Sequence, residues 1–195
     1  MGCQTAPMSV EDMLPKRGLR VAIFGSTQFY GADSQDLCQA LGQKLAQRCA
    51  NEVVLLTGAN AVVQEVISRN FHQALGGEAR IFHLAPRDFK CPWDFGKVLV
   101  AGEDMMERRK ILAQSAHVAI TVEGGPGTSD EIKNAQAVGV PVLPVARTGG
   151  ASSSEFASCA KPAHVTDAQW ALLSDTSVPV DTTASAIAEM VASML

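Results

Sequence analysis

Residues 118–132 read VAITVEGGPGTSDEI, and this stretch decides the fold. Its first five residues, Val118–Val122, form an apolar run with the length and composition of a buried strand. The glycines within residues 123–127 predict a turn, and Thr128 onward predicts the start of a helix. A strand that ends in such a turn points backbone N–H groups outward, and the helix dipole adds partial positive charge there. The stretch therefore predicts an anion site, most often one for phosphate.

Similar strands and helices alternate along the rest of the chain. Short apolar runs predict further strands at residues 19–24, 53–56, 79–85, 97–101 and 141–146. Apolar residues at helical spacing and capping residues predict helices at about residues 33–49, 61–75, 104–115 and 166–173, and from about residue 183 onward. Alternating strands and helices indicate a parallel sheet covered on both faces. We expect an α/β fold, a Rossmann-like three-layer α/β/α sandwich with a mostly parallel sheet of about six or seven strands.

The length of 195 residues fits one such domain. Residues 1–18 predict a flexible leader, and residues 19–195 a single domain. A hydrophobic content of 47% and a net charge of −4 are ordinary for a compact protein and indicate neither nucleic acid nor an anionic membrane as a partner. No apolar run approaches the roughly 20 residues of a membrane span. Five scattered cysteines without metal-binding spacing predict reduced thiols, so we expect a cytoplasmic protein.

Glycine and polar residues follow the predicted strands at their carboxyl ends. In open α/β sheets, ligands bind in the crevice at that edge. Turns between strands and helices need glycines and caps in any case, but that explanation does not account for the charged and amide side chains that collect there. These side chains are Asn60, Arg87, Glu103, Glu123 and Arg147. We therefore expect a ligand crevice, and the ligand-binding residues predicted there from the other loops are Gly25, Ser26, Gly58, Asn60 and Arg147.

Two stretches together resemble one family of enzymes. Residues 124–131, GGPGTSDE, resemble the P-G-G-x-G-T-x-x-E signature of the LONELY GUY phosphoribohydrolases, and residues 105–110, MMERRK, are similar to that family's M-x-x-R-K helix. Arg108 precedes Glu123, the first position of the signature, by fifteen residues, which is the family's spacing. The family, many of whose members were once labelled lysine decarboxylases, belongs to the Rossmann-like nucleotide-binding SLOG superfamily. That superfamily also includes molybdenum cofactor carrier proteins.

The resemblance implies cleavage of the N-glycosidic bond of an AMP-like nucleoside 5′-monophosphate, which releases free base and ribose 5-phosphate. It implies Arg108 and Glu131 as the catalytic pair. A carboxylate stabilises an oxocarbenium-like state or activates water, while a guanidinium orients the substrate. The residues expected to bind phosphate around this pair are Gly124, Gly125, Gly127, Thr128 and Arg109. No metal or redox cofactor is expected to be required, and the resemblance implies a homodimer or higher homo-oligomer.

Three departures from the signature favour an alternative. Glu123 replaces the leading proline, and a carboxylate beside a phosphate is repelled. Its side chain must therefore face away, pair with an arginine such as Arg147, or contact another ligand group. Pro126 has no N–H to donate, and Ala59 and Asn60 stand where the family has glycines. These residues favour a nucleotide or cofactor binding or carrier protein, similar to the molybdenum cofactor carriers, without turnover.

Other chemistry-bearing residues predict structural roles. His83 and His117 lie within or at the start of strands, where core or hydrogen-bonded roles are expected. Trp93 and Trp170 are expected to pack rather than stack on a base. Residues 25–31, GSTQFYG, are not a G-x-G-x-x-G motif, so an NAD-dependent oxidoreductase has only the fold in its favour.

Overall fold

The computed structural model describes residues 9–77 and 80–195. Within them, six strands form one sheet: β1 (Leu19–Gly25), β2 (Val53–Thr57), β3 (Ile81–Ala85), β4 (Lys97–Val100), β5 (Val118–Val122) and β6 (Val142–Val145). The helices of this part are α1 (Val10–Met13), α2 (Ser34–Cys49), α3 (Val62–Ala74), α4 (Met105–Ser115), α5 (Pro126–Ala137), α6 (Gly150–Ser154), α7 (Asp167–Ala171) and α8 (Val180–Ala192). None of them has the length and apolar character that a membrane span requires.

The strand order is β4-β3-β2-β1-β5-β6, and every neighbouring pair is parallel. All residues of β2, β3, β5 and β6 are buried, because helices cover both faces of the sheet. The predicted Rossmann-like α/β/α sandwich is confirmed. The chain adds strands outward from β1 to β4 and then returns to the other side of β1 for β5. This reversal leaves a crevice at the carboxyl ends of β1 and β5.

Two hydrophobic clusters fill the space between the sheet and its helix layers. On one face α2 packs against α3 and α8, and the α2 side chains of Leu37, Leu41 and Leu45 are fully buried. On the other face α4 packs against α5, and α5 against α6. This second layer places α4 and α5 side by side, next to the crevice.

The described part of the predicted leader contains a short helix. Helix α1 is capped by Ser9, whose side chain accepts a hydrogen bond from the Asp12 N–H, and Val10 and Leu14 join the hydrophobic cluster under α4. Burial of these two apolar side chains anchors a segment that has too few of them to predict a helix. Residues 1–8 of the predicted leader, and the first residue of the predicted third strand, lie outside the described residues.

Candidate functional site

A cleft of about 240 Å³ opens at the point where the strand order reverses. The β1–α2 loop, the start of α3, the inner face of α4 and the first turns of α5 supply its walls. Most of the predicted site residues line it: Gly25, Ser26, Asn60, Arg108, Arg109, Gly125, Gly127, Thr128 and Glu131. Gly58, Gly124 and Arg147 are not among the lining residues. Of the five charged and amide side chains expected to collect in a ligand crevice, Asn60 lines this cleft, and the other four, Arg87, Glu103, Glu123 and Arg147, do not.

Arg108 and Glu131 form an ion pair that lines this cleft. Arg108 Nη1 donates to Glu131 Oε1 at 2.5 Å, and the two side chains are 4% and 5% exposed. Asp104 caps α4 by accepting hydrogen bonds from the Met106 and Glu107 N–H groups, which fixes the helix that carries Arg108. Burial raises the pKa of Glu131, and the neighbouring guanidinium opposes that shift by the smaller amount. The structure thus brings together Arg108 and Glu131, the two side chains that the resemblance implies as a pair.

The Arg108 guanidinium lies directly against the backbone of Gly58. A Cβ at position 58 would overlap Nη1, so any other residue there would displace the guanidinium from its place in the ion pair. Gly58 was predicted to bind ligand, but its place is beneath the arginine rather than on the lining. Arg108 Nε is buried and has no hydrogen-bond partner within the described chain. A buried donor of this kind calls for a ligand or water acceptor.

Helix α5 begins two residues earlier than predicted, at Pro126. Proline is favoured at the first helical position, where its missing N–H removes no helical hydrogen bond. The first-turn N–H groups have no acceptor within an α-helix, although Thr128 N–H donates to Gly125 O at 3.0 Å. A Cβ at Gly127 would come within 2.6 Å of Arg109 Nη2, so that guanidinium lies over the helix start. The arrangement presents one helix N-terminus and two arginines to the cleft.

Glu123 is turned away from the cleft. Its carboxylate is fully buried; Oε1 accepts hydrogen bonds from Tyr30 N at 2.8 Å and Gly31 N at 3.2 Å, and Oε2 accepts one from Ser26 Oγ at 2.7 Å. Of the three alternatives open from the sequence, the structure shows the first. The carboxylate therefore holds the β1–α2 loop instead of repelling an anion at the turn.

The predicted ligand role of Arg147 is not supported by its position. Arg147 Nη1 donates to Val178 O at 3.0 Å and to Thr183 Oγ1 at 2.7 Å, and Nη2 lies 3.2 Å from Asp33 Oδ2. Arg147 belongs to a 3-10 turn, Ala146–Thr148, that follows β6, and its side chain contacts the segment leading into α8. Arg147 thus ties the C-terminal segment to the start of α2.

Sequence reasoning missed several residues of the cleft: Thr27, Tyr30, Ala61, Gln64 and Pro126. Gln64 connects β1 with the residue that follows β2. Its Nε2 donates to Ile23 O and its Oε1 accepts from Gly58 N, both at 3.0 Å. A polar residue within the apolar stripe of α3 was the signal for it. Tyr30 had a weaker signal, an aromatic residue in the loop after β1.

The two histidines and two tryptophans expected to have structural roles do have structural contacts. His83 is buried; its Nδ1 lies 2.7 Å from Thr57 Oγ1 and its Nε2 lies 2.9 Å from Phe95 O. Burial lowers the pKa of His83 to about 4, so the ring is neutral at pH 7. Nδ1 of His117 accepts a hydrogen bond from Arg20 N at 3.1 Å. Trp93 packs against the His83 ring, and Trp170 stacks on Phe156.

Several solved structures share this fold. The structural-genomics protein TM1055 is 24% identical, with a TM-score of 0.63 over 71% of this chain and 81% of that one. The molybdenum cofactor binding protein of Rippkaea orientalis is 24% identical, with a TM-score of 0.56 over 66% and 76% of the two chains. DNA processing protein A of Helicobacter pylori, described for its single-stranded DNA binding mode, is 18% identical, with a TM-score of 0.51 over 65% and 64%. At these identities the likeness establishes the fold.

The sequence itself identifies the family. No curated protein matches the chain. The model of the SLOG cluster4 family matches residues 18–172, which include the β5–α5 turn, both arginines of α4 and every lining residue of the cleft. The predicted SLOG superfamily is thereby confirmed, while membership of its LONELY GUY branch stays a prediction. The chain belongs to the SLOG cluster4 family.

Proposed function

We propose that this protein hydrolyses the N-glycosidic bond of nucleoside 5′-monophosphates and releases free base and ribose 5-phosphate. The observation that supports the proposal is the buried Arg108–Glu131 pair in the cleft wall, beside the N-terminus of α5. An acid and a guanidinium next to a phosphate site are the groups that this reaction requires. No metal or redox cofactor takes part in the proposed chemistry.

The phosphate binds, in this proposal, at the start of α5. The Gly127 N–H belongs to the first helical turn, where the helix dipole favours an anion. Arg109 adds a guanidinium over the same glycine. With Arg108, the cleft presents two positive charges and one carboxylate, Glu131, so it favours a ligand with negative charge.

Glu131 then acts on the sugar. The C1′–N bond breaks with its electron pair moving to the base, and the ribose gains oxocarbenium character that a carboxylate stabilises. Water adds its oxygen to C1′, and its proton passes through the carboxylate to the departing base. Arg108 keeps the carboxylate in place and favours its ionised form against the effect of burial.

A second candidate function is binding without turnover, as in a nucleotide or cofactor carrier. The observation in its favour is the burial of the pair, whose side chains are only 4% and 5% exposed. A carboxylate that must meet a sugar carbon needs an open approach, whereas a carrier needs only a charged wall. The two functions share the phosphate site and differ in what Glu131 does.

Incubation with AMP and measurement of free adenine by chromatography separates the two candidates. We expect release by the wild type and a fall of roughly 100- to 10,000-fold in Glu131→Gln, the range for loss of an acid–base group. Glu189→Gln, an exposed charge change on α8, is the matched control and retains full activity. If adenine is not released but AMP raises the melting temperature, the binding function replaces the catalytic one.

The remaining expectations about partners are part of the proposal. We propose an AMP-like small molecule as the ligand, a homodimer or higher homo-oligomer as the assembly, and the cytoplasm as the location. Light scattering after size exclusion tests the assembly. Because one protein of the same fold binds single-stranded DNA, a labelled oligonucleotide titration tests the expectation that nucleic acid is not a partner.

A further inference from the structure

Glu123 has a backbone conformation that side-chain-bearing residues rarely adopt. Its φ is +56°, in the left-handed region. Proline, which the resembling signature carries at this position, has φ fixed near −65°. A strained position at a functional site persists only when its surroundings determine it. The contacts that hold it here are made by the Glu123 backbone, whose N–H donates to Thr148 Oγ1 at 2.9 Å, and by its carboxylate.

The carboxylate contacts all go to the β1–α2 loop. One carboxylate oxygen receives the Tyr30 and Gly31 N–H groups, and the other receives the Ser26 hydroxyl, at 2.7–3.2 Å. Ser26 immediately follows β1, and Gly31 lies shortly before α2. A single buried side chain thus holds both ends of the loop. The loop in turn supplies Ser26, Thr27 and Tyr30 to the cleft.

Tyr30 is the loop residue that this arrangement aims at the phosphate site. Its hydroxyl lies 4.0 Å from where a Cβ of Gly125 would stand, and Gly125 is the N-cap of α5. The side chain lines the cleft and is 50% exposed, unlike the buried aromatic residues of the core. A phenolic O–H is a hydrogen-bond donor, and phosphate oxygens accept such bonds strongly.

We propose that Glu123 is a positioning residue that fixes Tyr30 beside the start of α5, and that Tyr30 donates its hydroxyl to the phosphate bound there. The inference rests on the proposed function for its ligand, a phosphate monoester. It adds a phosphate donor that lies outside the glycine signature. Neither residue hydrogen-bonds to Arg108 or Glu131, so their loss weakens binding and leaves bond cleavage nearly unchanged.

The chain offers an unusually clean probe because Tyr30 is its only tyrosine. Protein labelled with ¹³C,¹⁵N-tyrosine gives one amide signal and one set of ring signals. We expect a slowly exchanging Tyr30 amide in the wild type and fast exchange in Glu123→Ala, because the acceptor is gone. Glu123→Gln keeps an oxygen for the amide, so intermediate protection is expected, and this variant serves if Glu123→Ala fails to fold. An amide that exchanges equally slowly in Glu123→Gln, Glu123→Ala and the wild type overturns the role of Glu123.

The second measurement is AMP affinity, followed through the Tyr30 ring signals and by calorimetry. Tyr30→Phe keeps the ring and removes the donor, and loss of a hydrogen bond to a charged group predicts a rise in Kd of roughly 10- to 100-fold. Glu123→Gln is expected to raise Kd in the same direction. Where base release occurs, KM rises while kcat stays within about threefold. Glu189→Gln is the control and keeps the wild-type Kd.

The outcomes distinguish this inference from the proposed function. If AMP binds and Tyr30→Phe raises its Kd but no base is released, the catalytic proposal fails and the inference stands. If base is released while Tyr30→Phe leaves Kd and KM at wild-type values, or if AMP leaves the ring signals unmoved, the inference is overturned alone. If the wild type binds no AMP, both are overturned.

Discussion

Two ion pairs join α4 to α5, from neighbouring positions on each helix. Arg108 and Glu131 lie in the cleft wall, with side chains 4% and 5% exposed; Arg109 and Asp130 lie at the rim, 27% and 55% exposed, with Nη1 and Oδ2 3.2 Å apart. Successive side chains of an α-helix differ in direction by about 100° around the helix axis. This rotation is enough to place one side chain in the cleft wall and the next at its rim. Two arginine–carboxylate pairs therefore differ in desolvation, and only the buried one forms part of the proposed reaction centre.

The largest expected effect comes from removing the buried arginine. Arg108→Met leaves the Glu131 carboxylate buried without its partner, and loss of one member of a buried pair lowers the free energy of unfolding by about 3–5 kcal/mol. Urea denaturation followed by circular dichroism measures it. The double variant Arg108→Met/Glu131→Leu removes both charges and is expected to recover most of the loss. A single-variant loss below about 1 kcal/mol would mean that the two pairs are energetically alike.

The next effect is a pH dependence of the stability that Glu131, the acid of the buried pair, introduces. Burial raises the pKa of folded Glu131 above its ordinary value of 4.5. The stability due to this group is then fully present below pH 4.5 and is lost as the pH rises through the folded pKa, because the unfolded chain releases the proton first. The slope is at most about 1.4 kcal/mol per pH unit. Subtracting the pH–stability curve of Glu131→Gln from that of the wild type isolates the contribution of Glu131. A difference in unfolding free energy that rises with pH above 4.5 would contradict a raised pKa of Glu131.

The smallest effect belongs to the rim. Asp130→Asn breaks a pair that water already screens, so the expected loss of unfolding free energy is about 0–1 kcal/mol and shrinks further in 1 M salt. The same urea experiment measures it. A loss as large as that of Arg108→Met would show that exposure does not separate the two pairs.

The sheet was predictable because its strands are buried on both faces. Such strands read as unbroken apolar runs, and Val118–Val122 has the same bounds in the sequence prediction and in the structure. The meeting of Arg108 with Glu131 was predictable because motif spacing fixes which helix faces they occupy. Helix α1 was not, since only Val10 and Leu14 anchor it.

Side-chain direction at the strand ends was beyond the sequence. Glu123 and Arg147 both follow strands of the sheet, yet one turns under the β1–α2 loop and the other turns toward α8. The first direction depends on a left-handed backbone, and the second on a 3-10 turn. Tyr30 reaches the cleft only because Glu123 holds its loop, a contact between residues 93 positions apart.

The left-handed backbone conformation of Glu123 also affects how related sequences are found by motif searches. Proline is excluded from this turn geometry, so a search pattern that demands proline before the glycines passes over every chain built in this way. We expect two positions to covary among related chains: an acid at position 123 and a hydroxyl directly after the first strand, as in Glu123 and Ser26. The residues at these two positions would divide an alignment into two groups: chains in which an acid holds the loop after the first strand, and chains in which it does not.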